Sequence, residues 1–378
     1  MVIGIDIRVL GSGRKSGVEE YTENLLSHML PLDTTVQFKL FYSSYRTELP
    51  SFSWLALSNV SLFSFKISNR ALLYTTRLFN RPFIDKKLKG VDVFFAPHFF
   101  STALSPKVRR VTTFHDLSFE QFPEFFSRKQ RLWHRFVSPA WQARFSDQLI
   151  TVSDSTKQDL SSRYHIDPAR ITTIHSGVSA TFRPLTTEMI EQFRHQHRLP
   201  EKFILFFGAF EPRKNLLGII RAFEMTKSMP GMEQVHLVLA GAPGWLNQEG
   251  IAYTKHSSYA NHIHILDQVQ NDERTFLYNA ATVFAYPSFF EGFGFPPLEA
   301  MACGIPVIAS YTSSLPEVVG DAGILVNPYN LSEMAYAMHS AVTDVPLRTT
   351  LIERGLQRVQ RFSWHRCAKE TLDILTRS

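Results

Sequence analysis

Hydrophobic residues come in short runs that end in turn residues and then give way to helical spacing. The run VIGIDIRVL (2–10) stops at GSGRKSG (11–17). In the VEEYTENLLSHML that follows, Val18, Tyr21, Leu25, Leu26 and Met29 fall near one helical face. QFKLFYS (37–43), DVFFAP (92–97), RRVTTFHD (109–116) and QLITVS (148–153) are predicted strands, with Ser153 or Ser155 capping the next helix. After residue 200 the alternation restarts. KFILFFG (202–208), VHLVLAG (235–241), IHIL (263–266), TVFAYPS (282–288), IPVIAS (305–310) and GILVNP (323–328) read as strands, with helical segments between most of them.

Strand and helix in alternation predict parallel α/β sheets joined by right-handed crossovers. Two such series predict two doubly wound domains, with the boundary near SGVSATFRPLTTE (176–188). The domains expected are 1–182 and 183–360, with 361–378 as a C-terminal helix. Ligands of such sheets bind at the carboxyl ends of the strands, so a cleft between facing domains is the expected site.

Composition narrows the class. The 378 residues are 44% hydrophobic and 20% charged, as in a packed globular protein. The two cysteines, Cys303 and Cys367, cannot make a disulfide framework, which suits a reducing compartment. No basic-then-apolar leader reads at the N-terminus and no apolar run reaches membrane-span length, so a cytoplasmic location is expected. The net charge of +6 is uneven. Residues 1–185 hold 24 Lys+Arg against 15 Asp+Glu (+9), and the remainder 16 against 19 (−3). The first half therefore favours an anionic partner, and charge alone leaves nucleic acid, anionic lipid and phosphorylated substrates open.

The candidate chemistry falls at predicted strand ends. Gly11, Gly13 and Gly17 are spaced G-x-G-x-x-x-G between strand and helix, where backbone amides can approach an anion. The third glycine is one place late for a dinucleotide fingerprint, and the alternative is a flexible turn. His115 in TFHD can hydrogen-bond a hydroxyl, act as an acid or base, or be structural. Arg213 and Lys214, in GAFEPRKNL, are adjacent cations at a helix start, a place mildly unfavourable to them unless they grip an anion.

EGFGFPPLEAMACGIP (291–306) holds two glutamates around a glycine- and proline-rich turn. Pro296 and Pro297 suit a first helical turn, which would place Glu299 in that turn, near the positive end of the dipole. Glu291 gains nothing from that and reads as an acceptor for hydroxyls, beside the amides of Phe293, Gly294 and Phe295. No metal-ligand cluster, Walker loop or G-x-S-x-G stands out, so no protein-bound metal and no cofactor are expected. The basic, aromatic stretch 127–145 reads as one helix, either partly buried or lying on a membrane surface.

Here a resemblance enters. EGFGFPPLEAMACGIPVIAS resembles the E-x7-E segment of retaining glycosyltransferases of family 4, which have the GT-B fold. SGVEEYTENLL (16–26) resembles that family's helix start, and HSGVSATFRP its interdomain segment. FHDLSFEQFPEFFS and EPRKNL are similar to its bacterial mannosyltransferase branch. The likeness spans about 1–365. It implies two Rossmann-like domains facing each other across a cleft, the first for acceptor and the second for nucleotide sugar, with the C-terminal helix crossing back to the first.

The resemblance also implies roles. Gly17 contacts donor phosphates, His115 the transferred sugar, and Arg213 and Lys214 the diphosphate. Glu291 and the 293–295 amides hold sugar hydroxyls and phosphate, Glu299 the ribose, and Val269 lies by the base. Ser16, Ala209 and the SGV of the hinge depart from the family's pattern. The expected activity is hexose transfer, with GDP-mannose the leading donor, to a glycan or lipid-diphosphate-linked acceptor, with peripheral contact to anionic membrane and no nucleic acid partner. The alternatives are a UDP-hexose or UDP-N-acetylhexosamine donor, a sugar-nucleotide epimerase, and a nucleotide-sugar-binding module.

Overall fold

The structure is a computed structural model that describes residues 1–11, 16–242, 248–267 and 269–377. It contains two all-parallel sheets. The seven-stranded sheet has the order β3-β2-β1-β4-β5-β6-β7. Its strands are β1 (Val2–Asp6), β2 (Gln37–Ser43), β3 (Val60–Phe65), β4 (Val93–Ala96), β5 (Arg109–Phe114), β6 (Gln148–Thr151) and β7 (Ile171–Thr173). The six-stranded sheet has the order β10-β9-β8-β11-β12-β13. It is built from β8 (Phe203–Phe207), β9 (His236–Ala240), β10 (Ile263–Leu266), β11 (Val283–Tyr286), β12 (Val307–Ser310) and β13 (Gly323–Val326).

The interior strands are runs of buried apolar residues. Leu205, Phe206, Val283, Phe284, Val307 and Ile308 are all buried, as expected of a sheet covered on both faces. The predicted strands are all present. Two more, β3 and β7, form the edges of the first sheet. β3 mixes half-buried and exposed residues, and β7 has three residues, so neither carries a strong apolar run.

The chain divides into two compact units. One comprises Met1–Phe119, Arg128–Gly177 and Ser363–Ser378; the other comprises Glu120–Ser127 and Val178–Phe362. The helix Trp364–Thr376 thus lies in the first unit, packed on the helix Gly17–Met29. In the second unit the two ends of the long segment meet, Val178 N–H donating to the Phe362 carbonyl at 3.3 Å. The short segment 120–127 joins this unit through its rings. Phe122 stacks on Phe125 at 5.2 Å, and the pair rests on Phe290 and Phe289, each at 5.7 Å.

The stretch 127–145 is two helices, Arg128–Val137 and Pro139–Phe145, rather than the single expected one. Ser138, in the left-handed region at φ 53°, breaks it just before Pro139. Among the described residues, no helix is long and apolar enough to cross a membrane.

Candidate functional site

In the second unit Arg213, Lys214 and Glu291 gather at the carboxyl ends of β8 and β11, beside the end of β12. After β8 the chain makes a short 3-10 turn, Pro212–Lys214, begun by the proline. Asn215 then adopts φ 58°, and its amide donates to the Pro287 and Pro328 carbonyls at 3.2 and 2.8 Å. That one side chain ties the turn to the ends of β11 and β13. Gly218 follows because a Cβ there would collide with the Asn215 amide.

This anchoring places both cations on one carboxylate. Lys214 Nζ lies 2.6 Å from Glu291 Oε1, and Arg213 Nη1 lies 2.8 Å from Glu291 Oε2. Arg213 also donates to the Phe290 carbonyl at 2.7 Å, and its guanidinium is 3.5 Å from Glu211. Lys214 donates a second time, to the Tyr286 hydroxyl. The Glu291 amide donates to Ser313 Oγ at 2.8 Å.

Burial alone would raise the Glu291 carboxyl's pKa. The fields of Arg213 and Lys214 outweigh that and hold it at about 2. Lys214 is lowered, chiefly by burial and then by Arg213, with Glu291 opposing. Two cations face two carboxylates, so the cluster carries no net charge. On sequence alone Arg213 and Lys214 looked like bare cations awaiting an anion; here Glu291 already pairs with both.

Glu299 belongs to a second buried cluster. Its helix, Phe295–Ala302, is entered through Gly294 at φ 119°, where a Cβ would also meet Leu315 at 2.9 Å. The helix begins one residue before Pro296, which makes Glu299 its fifth residue. The expectation that Glu299 sits in the first turn is therefore corrected, and the helix dipole does not account for it. Glu299 is 1% exposed and is held by side chains instead. It accepts from Arg274 and, at 2.7 Å, from the Tyr278 hydroxyl. Arg274 is in turn flanked by the rings of Phe182 and Phe207, at 5.1 and 5.4 Å.

The remaining predicted residues are more dispersed. Phe293 and Phe295 meet edge to face at 5.2 Å, and Ser314 Oγ donates to the Phe293 carbonyl at 2.6 Å. Val269 is half-buried in the loop between β10 and the helix Arg274–Ala280.

In the first unit, Gly17 opens the helix Gly17–Met29 after Ser16, whose amide donates to Glu19 at 2.8 Å. Gly13 lies outside the described residues. His115 follows β5, and its Nε2 is 2.8 Å from the Pro97 carbonyl. A carbonyl only accepts, so Nε2 carries the proton and Nδ1 is left as the acceptor in the neutral ring. Burial lowers the His115 pKa, against the opposing pull of the Pro97 carbonyl and Asp116, so the ring is neutral near pH 7.

Known proteins resemble this chain over most of its length. The model for Glycosyltransferase Family 4 covers residues 15–182, and that for Glycosyl transferases group 1 covers 189–358. The chain belongs to the family 4 glycosyltransferases. This glycosyltransferase is 28% identical over 372 residues to the O-antigen chain mannosyltransferase B of Escherichia coli, covering 95% of each chain. Its fold is that of sucrose-phosphate synthase from Thermosynechococcus elongatus (TM-score 0.78, 21% identity, 99% and 98% of the two chains covered). Anabaena HepE, solved with UDP and glucose, is also similar (TM-score 0.73, 19% identity, 100% and 99% covered). The glycosyltransferase is thus an enzyme of GT-B fold.

Several residues of the two clusters escaped sequence reasoning. Tyr286 reads as part of an apolar strand, yet at the strand end its hydroxyl accepts from Lys214 and its ring lies 4.8 Å from the Lys214 Nζ. Arg274 and Tyr278 are four apart on one helix, a spacing that puts them on one face but does not say what that face meets. Glu211 opens EPRKNL (211–216), yet its contact with Arg213 depends on how the turn closes.

Proposed function

We propose that this glycosyltransferase transfers mannose from GDP-mannose, with retention of configuration, to a saccharide acceptor in cell-surface polysaccharide synthesis. The observation that carries the donor-site reading is the buried Arg213–Glu291–Lys214 cluster at the carboxyl ends of β8 and β11. The likeness to an O-antigen mannosyltransferase over nearly all of both chains supports mannose.

In this reading a nucleoside diphosphate leaves the anomeric carbon while positive charge develops on the sugar. Glu291 keeps Arg213 and Lys214 in place before the donor arrives, so little reorganisation is needed when negative charge appears on the diphosphate. Glu291 also accepts from sugar hydroxyls. The 293–295 amides and Gly17 contact phosphate, Glu299 the ribose, and Val269 the base. His115, neutral, accepts a sugar hydroxyl at Nδ1. A leaving-group oxygen takes the acceptor's proton on the same face, which retains configuration.

Arg213 and Lys214 donate to the diphosphate oxygens from a cluster that Glu291 and Glu211 already balance, and the reaction is expected to survive EDTA. The acceptor is a glycan or a lipid-diphosphate-linked saccharide. Arg128, Lys129, Arg131 and Arg135, with the exposed Leu132 and Trp133 on the same helix, favour peripheral contact with the anionic inner membrane surface.

Thermal shift with GDP and UDP tests the donor: GDP is expected to stabilise more, and a larger UDP shift replaces the donor with a UDP-hexose. GDP-mannose with candidate lipid-linked acceptors, followed by mass spectrometry, tests the reaction. A lengthened acceptor supports transfer. A changed nucleotide sugar without acceptor marks an epimerase, and binding without turnover marks a binding module. Flotation with anionic liposomes tests the membrane contact, which salt should abolish.

A further inference from the structure

The second unit holds a cavity of about 630 Å³ that none of the assignments above uses. It lies at the amino ends of β8, β11 and β12, strands whose carboxyl ends carry or flank the cluster around Glu291. Lys202, Thr282 and Pro306, which line it, each immediately precede one of those strands. Its size falls within the range of small-molecule sites.

The lining is apolar with a cationic bias. Ile305, Pro306, Val342, Val345 and Ile352 contribute hydrocarbon, while Arg194, Lys202 and Arg348 stand against Glu201 in the lining and Glu191 beside it, which pairs with Arg194, for a net +1 (three minus two). Among the described residues, Lys202 and Arg348 make no ion pair. Arg348 is aimed by a bond from Nη1 to the Val342 carbonyl at 2.6 Å. Arg194 holds Glu191 with Nη1 and the Ala280 carbonyl with Nη2, at 2.6 and 2.7 Å. Its Nε is buried with no hydrogen-bond partner among the described residues. A buried donor left unpaired is costly unless something else accepts from it.

We infer that this cavity is a second ligand site, for a small anion with an apolar body, such as an organic phosphate monoester. The hydrocarbon side chains and Pro306 take the body, and Arg194, Lys202 and Arg348 take the head, where charged hydrogen bonds are strongest. The site is built on the framework of the Glu299 cluster. Arg194 holds the last carbonyl of the helix Arg274–Ala280, whose own Arg274 and Tyr278 grip Glu299.

The test is calorimetric titration of the full chain with phenyl phosphate, and with inorganic phosphate in parallel. Phenyl phosphate is expected to bind at least about tenfold more tightly than inorganic phosphate, because only it fills the apolar part. Lys202→Glu and Val345→Glu should each weaken it by about tenfold or more. Both lining residues are exposed, Val345 55% so, and the substitutions should leave the circular dichroism spectrum unchanged. Hydrogen exchange with bound phenyl phosphate should be slowed at 201–203, 281–283 and 304–306. Equal affinity for the two probes, unchanged affinity in both variants, or protection appearing at 211–215 and 288–295 instead would each overturn the site.

Discussion

Glu291 and Glu299 stand eight residues apart, are both buried, and both bind an arginine, yet their surroundings differ. Glu291 is shared by two cations, one of them a lysine whose pKa burial already lowers. Removing its charge would leave Arg213 and Lys214 facing each other, with Glu211 at 3.5 Å from Arg213. Glu299 has one arginine and one phenol, and the arginine rests between two rings. The first cluster is an electrostatic compromise in which each member depends on the others. The second is a packed ion pair with a hydrogen bond added. Eight residues of sequence thus hold one carboxylate whose loss unbalances a site and one whose loss leaves a packed pocket short of a partner.

Breaking the first cluster should have the largest effect. Glu291→Ala leaves the buried Lys214 and the half-buried Arg213 poorly compensated and should cost about 3–5 kcal/mol in chemical denaturation. Glu291→Gln, which keeps the volume, should restore part of the stability and none of the transfer.

Acid should act nearly as strongly. The folded pKa of about 2 lies below the ordinary value of 4.5. The stabilisation is therefore complete above pH 4.5 and is lost as pH falls through about 2, amounting to about 3 kcal/mol. Wild-type stability followed against pH beside Glu291→Gln should show that difference, the variant being flatter between those limits. Lys214→Ala and Arg213→Ala should each weaken nucleoside diphosphate binding by about 1–3 kcal/mol in calorimetry. Unchanged affinity would remove them from the diphosphate.

Tyr278→Phe, in the second cluster, should be mildest, costing about 1 kcal/mol of stability because Arg274 still holds Glu299. A loss as large as that of Glu291→Ala would erase the distinction between the two clusters.

The interior strands were legible because each is an apolar run closed by turn residues. β3 and β7 were not, since an edge strand can be half polar or three residues long and still pair. Arg213, Lys214 and Glu291 were legible as groups at strand ends. That they neutralise one another was not, because the pairing depends on Asn215 fastening one turn to the ends of two other strands. Glu299 stands out through its place in the E-x7-E segment, but that its helix begins at Phe295 and that its partners Arg274 and Tyr278 come from an earlier helix, no local spacing reports.

The second unit, whose long segment closes on itself at Val178 and Phe362, also bears on how such proteins exchange parts. A segment with adjacent ends can be cut out and moved between relatives as a cassette, because its host needs to span almost no gap. This cassette is incomplete in the chain order. The aromatic tab of Phe122 and Phe125, which covers Phe289 and Phe290 beside Glu291, is encoded more than fifty residues upstream. Recombination at 178 and 362 alone would carry over the charged cluster and leave its cover behind. Viable exchanges should therefore either take 120–127 along or draw on hosts that already carry matching rings there.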